Sequence, residues 1–263
     1  MAYLPKILVA AGIALAMALT FSCSDDGGGD DTPSSSSGID LSSSSSDTSS
    51  SSSGNDSDGS NVVYGDPVTY GDEIYQTVVI GTQTWFARNL NYDPGKGYCY
   101  CYGDYSHDDS EGNCVTYGRL YNWTTAMDLE QDCLFNTCSD DIHPNHQGIC
   151  PEGWHIPSLA DWNTLIEYAG GSSEAGAKLK AAIGWRDDYN GTDDYGFSAL
   201  PGGSIYIDNF YGLGHLSQWW MPSESERDGG EAYYWAINDD GVGVSEDAHY
   251  KTNYYSVRCV KNL

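Results

Sequence analysis

The chain has 263 residues, 38 acidic against 11 basic, and a formal net charge of −27. A surface of that sign repels nucleic acid and anionic membrane faces and suits neutral ligands, cations or basic partners, although a plain solvated exterior would carry the same charge. About 200 residues remain once the compositionally distinct N-terminal stretch is set aside, enough for one domain with a real core.

Residues 1–22 read as a secretory signal peptide. Lys6 precedes the apolar run Ile7 to Leu19, which is short of the roughly 20 apolar residues that cross a bilayer. The segment ending Ser22-Cys23 resembles a loose bacterial lipobox, with Thr20 where leucine is usual, so Cys23 is the expected lipidation site. Ser24-Asp25-Asp26 resembles the acidic tag of surface lipoproteins. The expected address is therefore the outer membrane or cell surface, with contact to the membrane only through the lipid anchor. An ordinary signal peptide with a chance cysteine is the alternative. Residues 23–61 are almost wholly Ser, Gly and Asp after that cysteine. They bury too little apolar surface to offset ordering entropy, and as a flexible tether would span about 35 Å. Eight acids and one lysine precede residue 62, which leaves the remaining domain, 62–263, near −20.

Within that domain, Val62 to Ile80 is rich in Val, Ile, Thr and Tyr, broken at Gly65, Pro67, Gly71 and Asp72, predicting two strands joined by a turn, with Ile74 to Ile80 the better strand. Thr84 to Ala87 predicts a short buried strand. Residues 93–117 lack periodicity and read as a surface excursion. Leu120, Trp123 and Met127 lie at i, i+3 and i+7, the spacing of one helix face. A second start is written at Ser158, with Pro157 before it and Asp161 three residues on as the acid of a capping box. Trp162, Leu165 and Ile166 supply that helix's apolar face. Gly170-Gly171 ends it, and Glu174 to Ile183 predicts a further helix. Short strands follow at Ser204 to Asp208, Gln218 to Met221, Ala232 to Asn238, Gly241 to Val244 and Tyr254 to Val260. Strands, then helices, then strands imply an α+β domain, in which the first and last strands could pair.

Cysteines in an exported chain default to disulfides. Short polar loops favour Cys101 with Cys114 and Cys133 with Cys138, and Cys150 with Cys259 would tie the Cys150 to Trp162 stretch to the last strand, leaving Cys99 single, though the unpaired thiol could equally be Cys101. A zinc site built from Cys99, Cys101 and either His107 or Cys114 matches none of the usual ligand spacings.

Five ordered motifs carry a family resemblance. They are Ile80-Gly81-x-Gln83-x-Trp85, Asn89-Leu90-Asn91-Tyr92, Tyr117-Gly118-Arg119-Leu120-Tyr121-Asn122-Trp123, Gly148-Ile149-Cys150-Pro151-x-Gly153-Trp154-His155-x-Pro157-Ser158, and Ser256-Val257-Arg258-Cys259-Val260-Lys261. Through them the chain from about 62 to 263 resembles the Fibrobacter succinogenes major paralogous domain, departing from its pattern at Asp66 to Glu73. The resemblance implies a C-type-lectin-like fold, with two main helices flanking short antiparallel strands and long loops. It implies no activity. Formylglycine-generating relatives use a C-terminal cysteine pair to bind copper, and residues 232–258 contain no cysteine.

Four site readings remain. Aromatic faces stack on sugar rings, so Trp219, Trp220, Tyr211, Tyr234 and Trp235 are candidate ligand-binding residues. Strand alternation turns about half of any such set inward. In Asp187 to Asp194, oxygen side chains alternate around Gly191, making Asp188, Asn190 and Asp193 candidate calcium ligands without the full EF-hand pattern. His155, between Trp154 and Ile156, reads as a satisfied core residue. No serine or cysteine sits in a nucleophile motif. The expectation is a non-catalytic surface lipoprotein that binds extracellular polysaccharide or serves adhesion. A structural or protein-interaction module of the envelope, with a surface protein as its partner, is the alternative.

Overall fold

The computed structural model describes residues 62–95, 98–105 and 112–263. The expected signal peptide and tether, Cys23 and His107 lie outside them.

In chain order the early strands are β1 (Val63–Tyr70), β2 (Glu73–Ile80), β3 (Gln83–Phe86), β4 (Cys99–Tyr100) and β5 (Leu120–Asn122). β6 (Trp154–His155), β7 (Gly202–Tyr206), β8 (Asn209–Leu213) and β9 (Leu216–Glu224) follow. The last are β10 (Glu231–Asn238), β11 (Ser245–Tyr250), β12 (Tyr254–Tyr255) and β13 (Val260–Lys261). They form three antiparallel sheets, ordered β1-β2-β3-β13-β6, β4-β5-β12-β7-β8 and β11-β10-β9.

The sheets enclose two packed clusters. Tyr75, Phe86, Tyr121, Trp123, Trp154 and Trp220 centre the first. Trp85, Trp162, Leu165, Phe197, Trp219 and Trp235 centre the second. Alternate residues of one strand point to opposite faces, so β3 sends Phe86 to one cluster and Trp85 to the other. β9 divides Trp220 and Trp219 in the same way, because it runs between the clusters and is buried on both faces.

Four short α-helices accompany the sheets among the described residues: α1 (Asn113–Tyr117), α2 (Trp123–Met127), α3 (Leu159–Tyr168) and α4 (Ala175–Leu179). α3 starts as its sequence dictates. The Ser158 hydroxyl accepts from Asp161 N–H, and the Asp161 carboxylate accepts from Ser158 N–H, a closed capping box.

The α+β expectation of two main helices flanking strands, and with it the C-type-lectin-like layout, is overturned, for the molecule is mostly β-sheet. The i, i+3, i+7 pattern at Leu120, Trp123 and Met127 misled, because Leu120 belongs to a strand paired with β4 and only Trp123–Met127 is helical. The helix predicted over Glu174 to Ile183 shrinks to five residues. Lys180 leaves it to bridge Ala199, and its ammonium donates to the carbonyls of Asp239 and Gly241. Gly241 to Val244 is a turn, and the strand begins at Ser245. β13 pairs with β3 and β6 rather than with β1.

Among the described residues the bridges are Cys101–Cys114, Cys133–Cys138 and Cys150–Cys259, with Cys99 a buried thiol.

Candidate binding surface

The family motifs build the interior. Asn89 is buried, and its carbonyl oxygen accepts from Trp219 Nε1 (2.8 Å) and from Arg258 Nε and Nη2 (3.1 and 2.7 Å). Its amide donates to Tyr117 O and Ser256 Oγ. Arg258 also donates to Phe197 O and lies 4.3 Å from the Phe197 ring centroid. Full burial lowers its pKa to about 9, which still leaves it charged at neutral pH. At Gly118, φ is 79° and a Cβ would sit 2.7 Å from Leu90 O, so only glycine lets the chain pass there. His155 is 3% exposed, its ring nitrogens meeting Asn262 Oδ1 and Asp161 Oδ2. It is a structural residue joining β6 to the start of α3.

Three of the candidate stacking residues lie inside this frame. Trp219, Trp220 and Trp235 are 1%, 0% and 6% exposed, so none presents a face to a ligand. Trp220 Nε1 donates to Tyr121 O, and its ring packs 4.2 Å from Tyr255. The inference from alternation fails because it presumes a strand with one wet face, and β9 has none. Tyr234 is half-buried against Tyr255. Tyr211 alone of the five is exposed, at 48%.

Tyr211 lies on the β7–β8 hairpin, whose other face carries an aromatic cluster missed in the sequence. In the β7–β8 hairpin Ile205 pairs with Phe210 and also with Tyr254, which places Phe210 and Tyr254 on one face. Tyr100, Tyr102 and Tyr105 come to them from β4 and the loop beyond it. Tyr105 lies 4.5 Å from Phe210, Tyr102 5.1 Å from Phe210, and Tyr100 5.2 Å from both Tyr105 and Tyr254. The Cys101–Cys114 bridge and a bond from Asn113 Nδ2 to Tyr102 O hold this loop. Gly203 admits it, since a Cβ there would lie 2.7 Å from the Tyr102 ring. On the opposite face Tyr206 meets Tyr211 at 6.1 Å and His249 at 5.1 Å.

The hairpin tip, Ile207-Asp208, has φ of 46° and 55°, a tight turn with both residues left-handed. Asp208 stands close enough that its charge raises the Tyr105 and Tyr254 pKa values, after the larger effect of burial and, for Tyr254, after the neighbouring tyrosines. These phenols stay neutral donors throughout the physiological range. The surface thus combines ring faces, hydroxyls and one carboxylate. The rings are not coplanar: interplanar angles among these contacts run from 35° to 79°.

Two of the three candidate calcium ligands are engaged in local hydrogen bonds. Asn190 Oδ1 accepts from Trp185 N–H, and both Asp193 carboxylate oxygens accept from Ser198. Asp188 is exposed and borders a cleft of about 230 Å³ with Asn190 and Lys180, whose ammonium opposes a cation there.

This is a predominantly antiparallel β domain, cross-linked by disulfides, with a buried polar keystone and a tyrosine-rich outer face. The chain belongs to the Fibrobacter succinogenes major domain family, whose model matches residues 78–261. No match was found among curated proteins or among solved structures. The motif residues Asn89, Gly118, Cys150, His155, Ser158, Arg258 and Cys259 all serve the interior, whereas Tyr100, Tyr102, Tyr105, Phe210 and Tyr211 fall outside the motifs. Family membership therefore speaks for the scaffold and leaves the outer face to this chain.

Proposed function

We propose that the protein is an exported, lipid-anchored binding module of the cell surface that holds neutral extracellular glycan chains on its tyrosine face without catalysis. The observation that carries this reading is the cluster of Tyr100, Tyr102, Tyr105, Phe210 and Tyr254 beside Asp208, braced by a disulfide. Sugar rings present apolar faces to aromatic rings and hydroxyls to phenols and carboxylates. A domain charge near −20 disfavours acidic polymers. Because the rings are mutually tilted, they fit the changing faces of one flexible chain better than the flat surface of a packed polymer.

Affinity electrophoresis through gels containing soluble xylan, mixed-linkage glucan or mannan tests the reading. Retardation in at least one is expected, with Tyr105→Ala weakening it about fivefold, the loss of roughly 1 kcal/mol of ring contact. Tryptophans 219 and 220 are unsuitable as controls because they are core. Unaltered mobility on every neutral glycan would transfer the assignment to a protein partner.

A further inference from the structure

The loop from Cys133 to Asp141 contains more than a disulfide. Sγ of Cys133, Sγ of Cys138 and a carboxylate oxygen of Asp141 all lie within 4.8 Å of one another. Cys133 sits in a short 3₁₀ turn, Gln131–Leu134, and Asp141 ends a second, Ser139–Asp141, that starts just after Cys138. Asp141 N–H donates to Cys138 O. That turn returns the chain so that the Asp141 carboxylate lies beside both sulfurs of the bridge.

The backbone of this loop is also held by bonds other than the bridge. The Lys251 ammonium, fully buried, donates to Cys133 O (2.9 Å), Asn136 O (3.0 Å) and the Glu224 carboxylate. Glu224 in turn accepts from Cys138 N–H at 2.9 and 3.1 Å. Both cysteines are thus pinned through their own main chains to one buried ion pair. The Cα atoms stand 5.7 Å apart, a separation from which two side chains reach a common ion at the roughly 2.3 Å of a zinc–sulfur bond.

We infer that reduction of Cys133–Cys138 converts this loop into a site for a thiophilic divalent cation of the zinc class, with Cys133, Cys138 and Asp141 as ligands and a fourth position left for water. A dithiol reductant supplies two electrons and two protons and is itself oxidised to a disulfide. The two cysteine thiols then lose their protons to solvent as the cation binds, in accord with the preference of such ions for thiolate. The oxidised loop binds no such cation, so metal occupancy follows the redox state of the surroundings.

The test uses the folded chain lacking only its signal peptide, treated with a dithiol under anaerobic conditions, freed of reductant and titrated with cadmium as a spectroscopic stand-in. One equivalent is expected to give the ultraviolet thiolate-to-metal charge-transfer band and to protect Cys133 and Cys138 from alkylation, mapped by mass spectrometry. The band should be absent from the oxidised protein and from Cys133→Ser/Cys138→Ser. It should persist in Cys101→Ser/Cys114→Ser. Asp141→Asn, an exposed change that leaves the fold alone, should weaken binding by about tenfold or more. Cadmium protection mapping to other cysteines, a band that survives loss of Cys133 and Cys138, or a loop that unfolds on reduction without taking up metal would each overturn the inference.

Discussion

Lys251→Met should destabilise the protein by about 3–5 kcal/mol, the cost of removing one partner from a buried ion pair. The magnitude follows from what the ammonium leaves behind. Its pair is Glu224, whose side chain is 6% exposed. Without the cation that carboxylate stays buried with the Cys138 N–H bonds, while the carbonyls of Cys133, Asn136 and Gly229 lose a donor. The ammonium also lies 4.5 Å from the Trp123 ring centroid, a contact that methionine would replace in part. Glu224→Gln alone should cost a similar amount, by stranding the ammonium. The double variant should cost less than the two single costs together, since no uncompensated charge remains. Urea unfolding of the four proteins, followed by tryptophan fluorescence with slopes compared across variants, completes the cycle. Single costs below about 1 kcal/mol, or strict additivity in the double variant, would refute the view that this pair fastens the 129–147 loop to the sheets.

Other perturbations address separate parts of the molecule. Ile207 is a β-branched residue at φ 46° on an exposed hairpin tip, so Ile207→Asn should stabilise by about 1 kcal/mol and raise Tm by about 2–4 °C, read by calorimetry. Cys150→Ala/Cys259→Ala opens a link between residues 109 apart and should cost about 4–5 kcal/mol, against about 2 for the pair five apart at Cys133 and Cys138; equal losses by denaturant titration would contradict a loop-entropy origin. Burial raises the Asp161 pKa, but hydrogen bonds from His155 and Ser158 outweigh it and the net shift is downward. A carboxyl with a depressed folded pKa stabilises above its unfolded value of about 4, and that contribution disappears as pH falls through the folded pKa. Unfolding free energy measured down the acid limb should therefore drop more steeply for the parent than for Asp161→Asn.

What the sequence disclosed was local. The capping box at Ser158 and Asp161 depends on four consecutive residues, so it could be read without any knowledge of packing. The first hairpin was legible as a β-rich run with several glycine and proline breaks, while the pairing of Tyr70 with Glu73 decides which break is the turn. The helix expectations failed where tertiary pairing overrode spacing: Leu120 obeys a helical interval to Trp123 yet pairs with Tyr100 across a sheet. The expectation that a tryptophan of β9 faces a ligand failed for a related reason. Whether Trp219 and Trp220 face water depends on β9 lying between two clusters, a property of the whole fold that alternation cannot report. A signal for the tyrosine cluster was nonetheless present. Tyr98, Tyr100, Tyr102 and Tyr105 crowd a polar, aperiodic excursion, and aromatic density in a stretch with no core pattern to satisfy marks rings that pack at a surface.

The placement of β13 between β3 and β6 bears on how the molecule comes to be folded. A strand at 260–261 completes a sheet whose other members end by residue 155, so the sheet cannot close until more than a hundred intervening residues have been delivered. Until then β3 presents a bare edge, the kind of surface that recruits strands from other molecules. Synthesis on a ribosome would hold that edge open for the whole of translation. Once that strand docks, the Cys150–Cys259 bond, which joins the residue before β13 to the segment ahead of β6, locks it home.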